Sequence, residues 1–217
     1  MKKNLRQNLA FLLPYLLFLI TAGIFLSIHS KAEAHILLNQ YRSGFMDYFF
    51  SYITYLGDFT TVVAVTLLLC LYRYRFALLV AVSNGISALI TQSLKHSIYS
   101  DVVRPKKFFE GLNTLNLVPG YENYLYNSFP SGHSTSAFTT FFCLALLTEN
   151  KIIKFILFAL ALTIGFSRVY LSQHFLNDVY AGSLIGIITS LFIYWLIFFS
   201  TKLSGAKWME QSLLRRN

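Results

Sequence analysis

Charge is what this 217-residue chain has least of. Asp, Glu, Lys and Arg together make up 12% of it, about half of the roughly 25% usual in soluble domains. So few charges cannot clothe a core drawn from a chain that is 55% hydrophobic, which excludes an ordinary soluble domain and a disordered one. Cysteine is almost absent: Cys70 and Cys143 each lie inside an apolar run, which excludes a disulfide framework and a cysteine-rich zinc site. Acids are scarce as well, 9 against 18 Lys and Arg, leaving a net charge of +9. No internal repeat, low-complexity tract or linker interrupts the chain, so residues 1–217 read as one domain. What the chain does have is a succession of apolar runs and a mean hydropathy of +0.55.

A bilayer core asks for roughly 20 apolar residues per helix. Six runs approach that length: Asn8–Ile28, Phe59–Leu71, Phe76–Leu94, Ser134–Leu147, Ile152–Phe166 and Val179–Phe199. They predict an all-α, polytopic membrane helix bundle of about six transmembrane helices. The aromatic run Phe45–Leu56 is too short to span and is expected at the interface. Lys2, Lys3 and Arg6 before the first run, and Ala32–Glu33–Ala34 after it, resemble a signal peptide with a cleavage site. The apolar stretch is longer than the roughly 7–15 residues of a signal core, which predicts a retained span.

The basic excess sorts by side. With the N-terminus inside, the cytoplasmic segments hold Lys2, Lys3, Arg6, Arg73, Arg75, Lys151, Lys154, Lys202, Lys207, Arg215 and Arg216 against two acids, Glu149 and Glu210. The outer segments hold seven bases and seven acids. Cytoplasmic loops carry the Lys/Arg excess that sets topology. The net charge is explained by orientation, and nucleic-acid binding loses its support.

Three polar clusters interrupt the pattern, all on the outer side. The first is Lys95, ending the third run, with Arg104–Pro105 beyond it. The second is Pro130–Ser131–Gly132–His133, where the fourth run opens. The third is Ser167–Arg168 through His174 to Asp178. A charge at mid-membrane costs roughly 2.5–3.5 kcal/mol, so the ends of spans are where such groups can be held. Lys95, Arg104 and Arg168 offer positive charge and forked donors to phosphate oxygens. Ser131 and Gly132 sit at a helix start, where unpaired backbone N–H groups face an anion, and Pro130 suits that start. His174 and Asp178 are four apart, on one face of a helical turn. A carboxylate there can hold one imidazole nitrogen and leave the other to attack phosphorus, with His133 as general acid. His133, His174 and Asp178 are also metal-ligand types, but the surrounding cations would repel a metal and attract an anion. His29, His35 and His96 match no cluster and read as interfacial.

At these residues the chain resembles the type 2 phosphatidic acid phosphatase / vanadium haloperoxidase superfamily, whose pattern is Lys–x6–Arg–Pro, Pro–Ser–Gly–His and Ser–Arg–x5–His–x3–Asp. The second and third motifs are present unchanged, at Pro130–His133 and Ser167–Asp178. In the first, eight residues rather than six separate Lys95 from Arg104. The resemblance covers a motif-bearing core from about 47 to 199. It implies that His174 is the nucleophile of a phosphohistidine intermediate, oriented by Asp178, and that His133 protonates the leaving group. Lys95, Arg104, Ser131, Gly132 and Arg168 would hold the phosphoryl oxygens, with no metal and no cofactor. The implied substrate is a phosphorylated or diphosphorylated membrane lipid at the outer face of a bacterial cytoplasmic membrane. The outer segment Ser100–Phe129, long for a connection and carrying Lys106, Lys107, Tyr121, Tyr124 and Tyr126, is either an aromatic belt or a lid over a polyanionic headgroup. The second reading leans to lipid A phosphate or undecaprenyl diphosphate. Phosphatidylglycerol phosphate, phosphatidate, and an inactive lipid-binding relative stay open.

Overall fold

The structure, a computed structural model, describes residues 5–112, 114–200 and 205–214. Its helices follow the apolar runs closely. They are α1 (Leu9–Ile28), α2 (Lys31–Asn39), α3 (Gly44–Ile53), α4 (Phe59–Tyr72), α5 (Tyr74–Ser93), α6 (Pro105–Phe108), α7 (Gly132–Leu147), α8 (Lys151–Tyr170) and α9 (Leu176–Phe199). Polar caps mark their starts: Ser30 accepts from the Glu33 amide and Asn150 from those of Ile152 and Ile153, satisfying N–H groups that a helix leaves unpaired.

Among the described residues, α1, α5 with its final turn (Tyr74–Ile98), α8 and α9 are each long and apolar enough to cross a membrane. The bent pair Gly44–Gly57 and Phe59–Tyr72, broken by 54°, counts as one more. The number six is therefore approximate, since α7 has only 16 residues. The aromatic run expected at the interface forms α3 and a 3-10 turn, Thr54–Gly57, and so becomes the first limb of the bent pair.

Helix α7 is the centre of the bundle and packs on α5, α8 and α9. Phe138, Phe142 and Cys143 on α7 bury completely against Phe11, Leu79 and Ile164. Lipid tails are as apolar as leucine, so helices in a membrane associate through close packing and interhelical hydrogen bonds instead. Both devices are present. Gly182 and Gly186 let α9 press on α7: a Cβ at these positions would lie 2.7 Å from the Ser131 carbonyl oxygen and 2.8 Å from that of Thr135. Across α5 and α7, Asn84 Nδ2 donates to Thr140 Oγ1 at 3.0 Å, Thr139 Oγ1 to Ser87 Oγ at 3.2 Å and Thr91 Oγ1 to Thr135 Oγ1 at 3.3 Å. Such bonds contribute about 0.6 kcal/mol each. This dense α5–α7–α9 contact is what holds the start of α7 against the start of α9.

Candidate active site

Five residues connect α8 to α9, and their backbone is folded tightly. The amides of Gln173 and His174 both donate to the Arg168 carbonyl, at 2.9 and 3.0 Å, and Ser172 takes a left-handed φ of 52°. A non-glycine residue held there stores on the order of 1–3 kcal/mol. The hold comes from α2, where Asn39 Nδ2 lies 3.1 Å and His35 Nε2 3.2 Å from Ser172 Oγ. His35 is thus not interfacial. It is fully buried between the rings of Phe109 and Phe175, and burial pushes its pKa down to about 4.

His174 leaves this loop facing α9. Its Nδ1 is 3.3 Å from Asp178 Oδ2, and both side chains are fully enclosed. The same carboxylate oxygen accepts from the Phe175 amide at 3.0 Å and the Ser128 hydroxyl at 2.5 Å. Burial holds the His174 imidazole well below its ordinary pKa, and Arg104, Lys95 and Arg168 push it the same way. It is neutral at physiological pH, with Nε2 free as a nucleophile.

The three expected cations surround this pair, each buried. Lys95 lies in a π-helical turn, Leu94–Ile98, at the end of α5, and donates to the Asn127 carbonyl at 3.0 Å. Despite the eight intervening residues, Lys95 and Arg104 both come close enough to act on His174. Arg104 donates through Nε to the Tyr126 carbonyl at 2.8 Å and through Nη1 to the Gln173 carbonyl and Oε1 at 3.2 and 3.1 Å. Burial, then the charge of Arg168, pull its pKa down to about 10, which leaves it protonated at neutral pH. Arg168 donates to Thr54 Oγ1 at 2.7 Å and Tyr121 OH at 3.4 Å, while its buried Nε has no hydrogen-bond partner among the described residues. Buried charges need compensation. Lys95 and Arg104 face Asp178 and Arg168 faces Asp58, and three cations against two carboxylates leave an excess that an anion would neutralise. Lys107, by contrast, is spent on Glu110 at 2.5 Å, outside this group.

Ser131 differs from expectation. Its backbone N–H does not face an open anion site but donates to the Asp178 carbonyl at 2.9 Å, tying α7 to α9. Its hydroxyl caps α7 by accepting from the Ser134 amide at 3.3 Å. Gly132 and His133 therefore head the helix, where amides lack intrahelical partners. Beside Gly132 the space is open, for an added Cβ would meet nothing within 4 Å.

Sequence reasoning missed the partner of His133. Its Nε2 lies 2.5 Å from Asp58 Oδ1, on the residue that joins the two limbs of the bent pair. Gly57 makes this approach possible, since a Cβ there would sit 2.8 Å from Ile164 Cγ2 and 3.1 Å from the His133 carbonyl. In the sequence Asp58 is one of the seven outer acids, and no local spacing links it to residue 133. From Asp58, His133 and Gly132 a cavity of about 540 Å³ descends between α4, α5 and α7, lined by Val62, Leu67, Ala81 and Thr91. The arrangement can bind a phosphoryl group among buried cations, attack it from His174 and exchange a proton at His133.

Known proteins share parts of this sequence and fold. Bacitracin transport permease protein BcrC of Bacillus licheniformis is 29% identical over 123 residues, 57% of this chain and 57% of that one. Lipid A 1-phosphatase of Rhizobium johnstonii is 34% identical over 105 residues, 48% of this chain and 41% of that one. The chain spans about half the length of the curated relatives it matches. The crystal structure of LpxE from Aquifex aeolicus superposes with a TM-score of 0.66 at 30% identity, covering 74% of this chain and 92% of that one. The PAP2 superfamily model matches residues 76–202, which include Lys95, Arg104, Ser131, Gly132, His133, Arg168, His174 and Asp178, and the chain belongs to that superfamily.

Proposed function

We propose that this integral-membrane protein is a lipid phosphatase that cleaves a phosphomonoester or diphosphate at the outer face of the cytoplasmic membrane. One observation carries the reading: a neutral, buried His174 is held by Asp178 inside a ring of Lys95, Arg104 and Arg168. His174 Nε2 attacks phosphorus, the bond to the lipid oxygen breaks, and the oxygen takes a proton from His133. Water then hydrolyses the phosphohistidine with His133 as base. Lys95, Arg104, Arg168 and the amides of Gly132 and His133 stabilise the charge on the phosphoryl oxygens. The cavity below His133 is suited to a lipid chain, and the charge split between the two sides supports an outward-facing site.

The relatives named as lipid A phosphatases favour lipid A phosphate. The outer segment Ser100–Phe129 sets Tyr121 3.4 Å from Arg168 and the Tyr124 ring 5.2 Å from Arg104, and undecaprenyl diphosphate, another large polyanionic headgroup, stays beside lipid A phosphate. Purified protein in detergent should release phosphate from these two faster than from phosphatidylglycerol phosphate or phosphatidate. Orthovanadate should inhibit, and a chelator should not. No release from any of the four lipids would refute the reading. Preference for phosphatidate would overturn the substrate lean alone.

A further inference from the structure

The turn Thr54–Asp58 lies outside the matched segment, yet it reaches the site three times. Thr54 Oγ1 receives Arg168 Nη1 at 2.7 Å, Gly57 packs against the His133 backbone, and Asp58 Oδ1 meets His133 Nε2 at 2.5 Å. Its residues come from the break in the bent pair, where an interrupted membrane helix presents polar groups to a cavity. A carboxylate set between two apolar helices generally faces a partner or a functional cavity. Asp58 does both.

We propose that Asp58 is the positioning residue of the general acid, doing for His133 what Asp178 does for His174. The proposal rests on the phosphatase reading above. A carboxylate on Nε2 keeps a proton on that nitrogen in both charge states of the ring, so Nδ1 is the atom that exchanges protons. With His133 charged, the Nδ1 proton passes to the lipid oxygen as the P–O bond breaks, leaving a neutral ring. In the second half-reaction Nδ1 takes a proton from water as its oxygen attacks the phosphohistidine. The ring is recharged, His174 leaves neutral, and the cycle closes. In each step Asp58 stabilises the imidazolium without itself gaining a proton, the part a triad carboxylate plays. The surroundings of His133 make this help necessary, since burial first, and then Arg168 and Arg104, act against a positive charge on the ring while Asp58 favours it.

The test separates positioning from structure by leaving group. Asp58→Asn and Asp58→Ser are both made, so that a folding failure in one leaves the other to decide. First-turnover release is measured with an alkyl phosphate lipid and with 4-nitrophenyl phosphate, whose leaving group needs little protonation. Release from the alkyl ester should fall roughly 10²-fold or more, while the 4-nitrophenol burst falls far less. In a His133→Ala background the alkyl-ester loss should disappear, because Asp58 then has no ring to hold. Equal losses on both leaving groups, a full additional loss on top of His133→Ala, or wild-type rates would each overturn the proposal. A wild-type protein that forms no phosphohistidine from either ester refutes the phosphatase reading instead.

Discussion

Two imidazole–carboxylate pairs sit at the same end of this bundle and are built in opposite ways. His174 and Asp178 belong to consecutive chain, one loop and one helical turn, with side chains 2% and 1% exposed. His133 heads α7 and Asp58 sits in the break before α4, far apart in sequence, and their side chains are 30% and 31% exposed, at the mouth of a cavity. The first pair is sealed, as suits the uncharged nucleophile proposed at His174. The second is open, as suits a group that trades protons with a leaving lipid and with water.

The sharpest break of that comparison is His174→Ala. It should lower turnover by at least about 10⁴ whatever the leaving group, since positioning cannot replace a missing nucleophile. Asp178→Asn should retain a small residue of activity, measured in the same phosphate-release assay. If instead His174→Ala spares 4-nitrophenyl phosphate, the roles of the two histidines are reversed.

The cations come next. Lys95→Ala should lower kcat about 10²–10³-fold, as when one preorganised donor to a developing oxyanion is lost. Lys106→Ala and Lys107→Ala should alter mainly KM. A collapse of kcat in either of the latter, beside a near-normal Lys95→Ala, would move the phosphate contact from the end of α5 to the loop.

A smaller effect probes what supports the sealed pair. The His35 pKa is about 4 when folded against 6.5 ordinarily, so between these values the unfolded chain binds a proton that the folded chain refuses. Stability should therefore be lost as pH falls from 6.5 towards 4, and His35→Asn should flatten that loss in melting temperature measured against pH. An unchanged profile in His35→Asn would place the acid sensitivity elsewhere, with His174 the next candidate.

How much of this was legible in the sequence follows from range. The spans were readable because burial in lipid imposes one composition over a whole helix, and α1, α4, α5, α8 and α9 begin and end within a few residues of the apolar runs. His174 with Asp178 was readable because a helical turn converts a spacing of four into contact. Asp58 was not, because its contact with His133 depends on a 54° break and a glycine, and neither announces its partner. His35 was hidden for a similar reason: α2 is short and polar enough to pass for an interfacial segment until the loop it braces is seen. The tie between Ser131 and Asp178 is a backbone bond, which side-chain spacing does not encode.

That tie has a mechanical consequence. Asp178 grips His174 through its side chain and the head of α7 through its own carbonyl, at 3.3 and 2.9 Å. One residue thus acts as a caliper whose jaws hold attacker and cradle, and its gap is set by covalent bond lengths more than by how the helices lean. Breathing of the bundle in a bilayer of changing thickness would carry both jaws together. Activity should then stay level as lipid chain length is varied, and fail abruptly when the α7–α9 contact parts.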